Sequence, residues 1–135
     1  PSFLQFHGNE TPKFCNQFDY PYIKAIRVSP DLNIERAIEH FNPKGGFLFD
    51  TWHPKKYGGT GGTFDWDVLP NELRAPKIIA GGLTSTNVGQ AIKIARPDVV
   101  DVSGGVESEK GIKDERLIAN FVDSVGFADM KIDKK

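Results

Sequence analysis

The feature that most constrains the fold is an alternation of short apolar runs with stretches of helical spacing. Each run has the length of a buried strand. Five such runs occur, namely FLQFHG at Phe3–Gly8, YIKAIRV at Tyr22–Val28, GFLFDT at Gly46–Thr51, KIIAGG at Lys77–Gly82 and VVDVSGG at Val99–Gly105. We therefore predict five β-strands.

The segments between these strands have the spacing of amphipathic helices. In NVGQAIKIA, apolar residues recur at i, i+3, i+4 and i+7, and NIERAIEHF and the later DERLIANFVDSV also place their apolar residues on one face. A strand followed by a helix every roughly 20 to 30 residues predicts an α/β fold with a parallel sheet. The sheet is either doubly wound or closed into a barrel.

Both architectures bind ligands beyond the carboxyl ends of their strands. Here those ends carry polar residues and glycines: Gln5 to Gly8, Asp50 and Thr51, Gly81 and Gly82, and Asp101 to Gly105. We expect the functional residues to gather at this end of the sheet.

Length, charge and cysteine usage limit the class of protein. The 135 residues are sufficient for one domain, which we place at residues 1–135. A formal net charge of -1 provides no field for nucleic acid or an anionic membrane. The sequence has one cysteine, no apolar run long enough to span a bilayer and no leading signal segment. We expect a cytoplasmic protein with neither a nucleic-acid nor a membrane partner.

Two glycine loops are candidate phosphate sites. Gly81 and Gly82 join a strand to a helix, with Thr84, Ser85 or Thr86 available as the N-cap. Glycine allows close approach of the backbone, and free N–H groups at a helix start suit a phosphate. Ser103, Gly104 and Gly105 repeat the arrangement after the next strand, as in barrels that bind phosphate after their last two strands. Each loop alone is also compatible with an ordinary turn.

Two aspartates lie at strand ends. Asp50 follows three apolar residues, where a carboxylate is costly to bury unless it is satisfied or used. A partly desolvated carboxyl group can have a raised pKa and act as a general acid. Asp50 is equally compatible with capping a helix or anchoring a loop, and for Asp101 structural anchoring is the favoured interpretation.

Other chemistry-bearing residues give weaker signals. His7, His40, His53 and Cys15 lack the spacing of metal ligands, so no metal is expected. His7 is a possible base, ligand contact or structural histidine, and Cys15 is interpreted as a small buried residue. The glycine-rich KKYGGTGGTFDW lacks the Gly-Lys-Ser/Thr ending of a P-loop and is interpreted as a flexible lid or a surface loop.

Four segments, taken in their order along the chain, resemble sequence motifs of the phosphoribosylanthranilate isomerase family. The resemblance is carried by LQFHGNE, FLFDTWHPKKYGGTGGTFDW, IIAGGLTSTNV and VDVSGGVESEKGIKD, over nearly the whole chain. It implies a (βα)8 TIM barrel of the ribulose-phosphate-binding type. This chain would form the C-terminal five βα units and begin at the fourth strand of the barrel.

The resemblance also implies a reaction, the cofactor-free Amadori rearrangement of tryptophan biosynthesis. N-(5-phosphoribosyl)anthranilate would become 1-(2-carboxyphenylamino)-1-deoxyribulose 5-phosphate, with Asp50 as general acid. Gln5, His7 and Asp101 would contact the anthranilate or the ribose. The phosphate would bind backbone N–H groups at Gly81, Gly82, Ser103 and Gly104 without a lysine.

The chain departs from the family pattern in two ways. Gly104 replaces a usual second serine, at a cost of about 1 kcal/mol for one hydrogen bond. The family's general base, a cysteine on the first strand, and the arginine that helps to hold the anthranilate carboxylate have no counterpart here. Because a general base contributes about 10²- to 10⁴-fold, we expect the chain alone to be nearly inactive. Missing N-terminal βα units or a second chain would complete the barrel.

Three alternatives remain open from the sequence. The chain could be an inactive barrel fragment that retains only a phosphate-binding site. A ribulose-phosphate epimerase or an indole-glycerol-phosphate synthase would share the last two loops, but their expected metal ligands or acid lysine do not occur at these strand ends. A doubly wound open sheet is the alternative fold.

Overall fold

The computed structural model describes residues 2–51 and 63–133, in which strands and helices alternate. The glycine-rich segment interpreted as a lid, except for its last four residues, lies outside the described residues, and so does His53. In chain order the elements are β1 (Leu4–Phe6), α1 (Pro12–Asn16), β2 (Tyr22–Val28), α2 (Ile34–Ile38), β3 (Gly46–Thr51), a 3-10 turn (Trp66–Val68), β4 (Lys77–Ile79), α3 (Val88–Ala95), β5 (Val99–Val100), a second 3-10 turn (Gly104–Val106), β6 (Glu107–Glu109), β7 (Ile112–Lys113) and α4 (Glu115–Asp133).

The first five strands form one parallel sheet in the order β1-β2-β3-β4-β5. Each strand therefore lies beside its neighbour in sequence. A doubly wound sheet reverses its strand order at a switch point, and the described strands have no such reversal. The alternative of a doubly wound sheet is therefore not supported, and the order is that of consecutive units in a barrel.

The two faces of this sheet differ in composition because successive side chains of a strand point to opposite faces. The helix-facing side carries a buried core that includes Phe49 and Ile79, both at 0% exposure. These residues share one apolar cluster with Val88 and Ala91 of α3 and Phe121 of α4. The opposite face, here called the open side, carries Gln5, Arg27 and Asp50, as their register shows.

Two lysines of the strands point toward the helix-facing side, and both are 4% exposed. Lys24 Nζ donates to Gly8 O at 2.9 Å and to Glu10 Oε1 at 3.1 Å. Lys77 Nζ donates to Ala95 O at 2.7 Å, at the last residue of α3. A buried charge must be paired or hydrogen-bonded to be tolerated. These bonds tie β2 to the loop after β1, and β4 to the end of α3.

The predicted elements are present, with different ends. β2 and β3 have the predicted bounds, whereas β1, β4 and β5 are shorter than their apolar runs. The helix predicted in NIERAIEHF ends at Ile38, because Glu39 leaves the helical region at ψ 138 and His40 is left-handed at φ 69. The N-cap position of α3 is Asn87, so the prediction of a cap at Thr84, Ser85 or Thr86 is wrong.

The antiparallel hairpin of β6 and β7 was not predicted from the sequence. It follows the second predicted phosphate loop and precedes α4. Within the described residues, no helix is both long enough and apolar enough to cross a membrane.

Candidate active site

Asp50 and Asp101 lie in one row across the open side of the sheet. Asp50 is opposite Arg27 of β2, and Asp101 extends β5 through a hydrogen bond from its N–H to Ile79 O at 2.9 Å. The strand between them contributes Ala80, whose N–H donates to Phe49 O at 2.9 Å. With neighbouring strands about 4.8 Å apart, the two aspartates are separated by about 10 Å.

Asp50 is half-buried at the end of β3 and lies against the first glycine loop. Its Oδ1 accepts a hydrogen bond from Thr51 N–H at 2.8 Å. A Cβ atom added to Gly81 would lie 2.5 Å from this oxygen and 2.6 Å from Thr51 Oγ1. The carboxyl group therefore occupies the space that a side chain at Gly81 would need.

Gln5 and His7 are exposed and lie outside this row. Gln5 pairs with Ile23, which pairs with Gly46, four residues before Asp50 on β3. His7 follows β1 at the start of a loop held by the buried network of Lys24. Gly8 N–H donates to Glu10 Oε1 at 2.9 Å, and the same oxygen accepts from Lys24. Partial burial alone would raise the pKa of Glu10, but the hydrogen bonds from Lys24 and Gly8 outweigh it and lower that pKa.

The side chain of Asn87 fixes the conformation of the loop after β4. Asn87 Oδ1 accepts from Thr84 N–H at 2.8 Å, and its Nδ2 donates to Gly82 O at 2.9 Å. Gly81 and Gly82 have positive φ angles of 89 and 69, a conformation that glycine adopts without steric cost. In the described part of the chain, the N–H groups of both glycines donate to no protein acceptor.

The second glycine loop touches the first at Gly105. A Cβ atom on Gly105 would overlap the carbonyl oxygen of Leu83, whereas a Cβ on Gly104 would meet nothing within 4 Å. The Gly104 N–H also donates to no acceptor among residues 2–51 and 63–133. The fold therefore brings the two predicted phosphate loops into contact and leaves donors unpaired in both.

A lysine that was not predicted as a site residue lies beside Ser103. Lys113 Nζ, on β7, is 3.1 Å from Ser103 O and 3.4 Å from Ser103 Oγ, and it pairs with Glu107 Oε2 at 2.7 Å. Arg27 was also missed, although alternation along YIKAIRV would have placed it on the face of Asp50. No sequence signal identified Lys113, because its position depends on the unpredicted hairpin.

Cys15 lies away from this region, on the apolar side of α1. It is 1% exposed and belongs to the main core cluster. Burial raises the pKa of its thiol, an effect that the nearby Lys24 only partly opposes. These facts confirm its interpretation as a small buried residue.

Comparison with known proteins identifies the family. Residues 1–124 match the family model of N-(5'-phosphoribosyl)anthranilate (PRA) isomerase. The chain belongs to the phosphoribosylanthranilate isomerase family. The resemblance inferred from the sequence motifs is thus confirmed, and membership argues against the epimerase and synthase alternatives.

Curated PRA isomerases match most of this chain. The Neisseria meningitidis serogroup C protein is 50% identical over 119 residues, which cover 88% of this chain and 57% of that protein. The Pseudomonas syringae pv. tomato protein is 52% identical over 122 residues, or 90% of this chain and 59% of that protein. The chain thus spans less than two thirds of the length of these relatives.

Solved PRA isomerase structures share the fold. The Thermotoga maritima enzyme superposes with a TM-score of 0.74 at 39% identity, over 91% of this chain and 60% of that one. A PRA isomerase in complex with reduced 1-(o-carboxyphenylamino)-1-deoxyribulose 5-phosphate gives 0.69 at 34% identity, over 91% and 58% of the two chains. The chain therefore has an α/β fold with a five-stranded parallel sheet similar to that of these isomerases.

Proposed function

We propose that this chain contributes one wall of the active site of a PRA isomerase, which converts N-(5-phosphoribosyl)anthranilate to 1-(2-carboxyphenylamino)-1-deoxyribulose 5-phosphate. The observation that carries the proposal is the contact between Asp50 and Gly81. It sets a carboxyl group, the candidate proton donor, beside a loop with unpaired backbone N–H groups. This is the arrangement that a phosphorylated sugar substrate requires, and no cofactor takes part.

In this mechanism Asp50 donates its proton to the ring oxygen of the ribofuranose. The bond from C1 to that oxygen breaks, and the nitrogen lone pair forms the C1–N double bond of a protonated Schiff base. A general base then removes the proton from C2, and the C–H electrons form the C1–C2 double bond of an enolamine. Transfer of the enol proton to C1 gives the aminoketose. The hydrogen bond from Thr51 N–H to Asp50 Oδ1 fixes the orientation of the acid.

The general base does not come from Cys15 in this proposal. Its thiol is buried on the helix-facing side of the sheet, and its raised pKa disfavours the thiolate. Asp50 and the row of Arg27 and Asp101 lie on the opposite face. We propose that the base and the residue that binds the anthranilate carboxylate belong to other βα units of the barrel.

The substrate phosphate binds between the two glycine loops. We assign it to backbone N–H groups at Gly81, Gly82, Ser103 and Gly104, since unpaired amides at loop and helix starts suit an anion. We assign Asp101, Gln5 and His7 to the ribose and anthranilate side of the pocket. Arg27 adds positive charge for a substrate that carries both a phosphate and a carboxylate.

We also propose that residues 1–135 belong to a single domain and form its C-terminal portion, namely the last five βα units of a (βα)8 barrel. In the described sheet, β1 pairs only with β2, and β5 only with β4. Beside β5 lies an apolar groove of about 280 Å³, lined by Val100, Val102, Val106, Ile118, Phe121, Val122 and Val125. Unpaired strand edges and exposed apolar grooves favour association with additional polypeptide segments. Further βα units of the same barrel are the proposed partner.

The acid assignment is tested by isomerase assays of the natural gene product. Asp50→Asn should lower kcat by about 10²- to 10⁴-fold, while Asp123→Asn, an exposed aspartate of α4, should retain wild-type turnover. Full turnover of Asp50→Asn would refute the assignment. The inactive phosphate-binding fragment is the less favoured function, because relatives matched over 88% and 90% of the chain are named isomerases.

The barrel proposal is tested on the 135-residue chain alone. Sedimentation velocity and thermal unfolding should detect association or a broad, non-cooperative transition. A monomer that unfolds cooperatively would contradict the proposal that other βα units are needed to cover the open side.

A further inference from the structure

Lys113 is tied to the second glycine loop by its ammonium group. Nζ donates to Ser103 O at 3.1 Å and is 3.4 Å from Ser103 Oγ. Glu107 Oε2 accepts from the same nitrogen at 2.7 Å. The ammonium therefore joins the hairpin strands β6 and β7 to the loop that precedes them.

Glu107 fixes the position of the ammonium. Its other oxygen, Oε1, accepts a hydrogen bond from Gly111 N–H at 3.3 Å, in the turn of the hairpin. Hydrogen bonds from Lys113 and Gly111 lower the pKa of Glu107. Glu107 is therefore a carboxylate at neutral pH, and it holds the lysine side chain by both charge and geometry.

The carbonyl that Lys113 binds controls the direction of the next amide. Ser103 O also accepts from Val106 N–H at 3.3 Å. In a trans peptide the carbonyl and the N–H of the following residue point in opposite directions. Holding Ser103 O on the hairpin side therefore turns the Gly104 N–H away from the hairpin. That N–H has no acceptor in the described residues.

We infer that Lys113 is a positioning residue for the substrate phosphate: it fixes the Ser103–Gly104 peptide so that the Gly104 N–H is aimed at the phosphate. The inference rests on the proposed function and extends it to a residue outside the glycine loops. Lys113 acts through the peptide and not by direct contact with the substrate. Loss of this tether should weaken phosphate binding more than the loss of a similar charge nearby.

The test compares two lysines of the same hairpin. Lys113→Gln removes the tether and a charge, whereas Lys110→Gln removes a charge near Glu107 from a side chain with no hydrogen bond in the described residues. Titration calorimetry of the natural gene product with inorganic phosphate should give a Kd about 5- to 20-fold higher for Lys113→Gln. Lys110→Gln should change Kd less than about twofold, because exposed charges are well screened.

Kinetics separate positioning from damage to the fold. Lys113→Gln should raise KM and leave kcat within about threefold, because the acid at Asp50 is untouched. Lys113→Arg, which can still donate to Ser103 O, should restore most of the affinity. If Lys113→Gln lowers the urea midpoint, Glu107→Gln provides a second variant, which keeps the lysine, weakens its anchor and should raise KM in the same direction.

The outcomes distinguish this inference from the proposed function. Wild-type phosphate binding that is unchanged in Lys113→Gln, or weakened equally by Lys110→Gln, would overturn the positioning role alone. A wild-type gene product that binds no phosphate would overturn both the phosphate site and the role of Lys113.

Discussion

Asp50 Oδ1 occupies the space in which Gly81 would carry a side chain, 2.5 Å from the position of an added Cβ. Gly81 also has φ 89, which side chains disfavour. We predict that Gly81→Ala displaces the Asp50 carboxyl group and lowers the free energy of unfolding by about 1 to 3 kcal/mol. Urea denaturation and kcat measured on the same variant would test both effects.

The matched control for this substitution is Gly89→Ala. Gly89 lies within α3, and an added Cβ would meet nothing within 4 Å. Alanine there should raise the unfolding free energy by about 0.5 to 1 kcal/mol. If both variants were equally stable, the close approach of Asp50 to Gly81 would not constrain the site.

The second prediction concerns the contact between the two loops. Gly105→Ala should separate them, because its Cβ would overlap the Leu83 carbonyl oxygen. Both the unfolding free energy and the affinity for inorganic phosphate should fall. Gly104→Ala, which meets open space, should leave the unfolding free energy nearly unchanged.

The open space at Gly104 also leads to a prediction about phosphate binding, which the variant Gly104→Ser would test. A serine fits the open space beside Gly104 and supplies a hydroxyl group there. Phosphate affinity should rise by up to about 1 kcal/mol, the value of one hydrogen bond. Calorimetry with inorganic phosphate measures the change, and a loss of affinity would show that the space is not on the phosphate side of the loop.

The third prediction concerns Lys77 and alkaline stability. Burial lowers its pKa below the ordinary 10.5, although the charge of Asp98 opposes the shift. Between the lowered pKa and 10.5, the unfolded chain binds the proton more readily than the folded chain. Rising pH therefore removes a proton mainly from the unfolded state, and this group's contribution to stability increases with pH.

Tyr22 acts in the opposite sense in the same range, since burial raises the pKa of its hydroxyl. The effect of Lys77 must therefore be measured as a difference between variants. The free energy of unfolding of Lys77→Met should rise less with pH than that of the wild type. Urea titrations of both proteins across the alkaline range measure the difference. Lys93→Met, at an exposed position of α3, should keep the wild-type slope.

The fourth prediction concerns Cys15. A thiol that is 1% exposed and has a raised pKa should react slowly with a disulfide reagent such as dithionitrobenzoate. Reaction should become fast only when urea unfolds the chain. Rapid labelling of the native protein would mean that α1 opens readily and that Cys15 is available for chemistry.

Local patterns in the sequence were sufficient for the sheet. The bounds of β2 and β3 could be predicted because each is a short, mainly apolar segment between turn residues. The end of α2 could not, because Phe41 is buried like a helical residue although His40 has already left the helix. The spacing of apolar residues indicates which residues are buried, and residues beyond the last helical turn can be buried as well.

The placement of Asp50 and Asp101 on one side of the sheet could be predicted, because both residues lie at strand ends. Gln5 shares their face but lies four residues lower in register, which the sequence does not reveal. Lys113 was missed, and so was the contact of Gly105 with Leu83, because the contacts of both residues join segments across turns of unpredicted geometry. Contacts of this kind depend on the tertiary fold and leave no periodic signal.

The alternation along β3 also limits how such a chain can change during evolution. Phe49 points into the helix layer and Asp50 points away from it. One inserted or deleted residue within the strand would exchange their directions, burying the acid among aromatic rings and exposing a phenylalanine. Length changes within β3 are therefore tolerable only in pairs, whereas the turns that precede the strands are free of this parity and can vary by single residues.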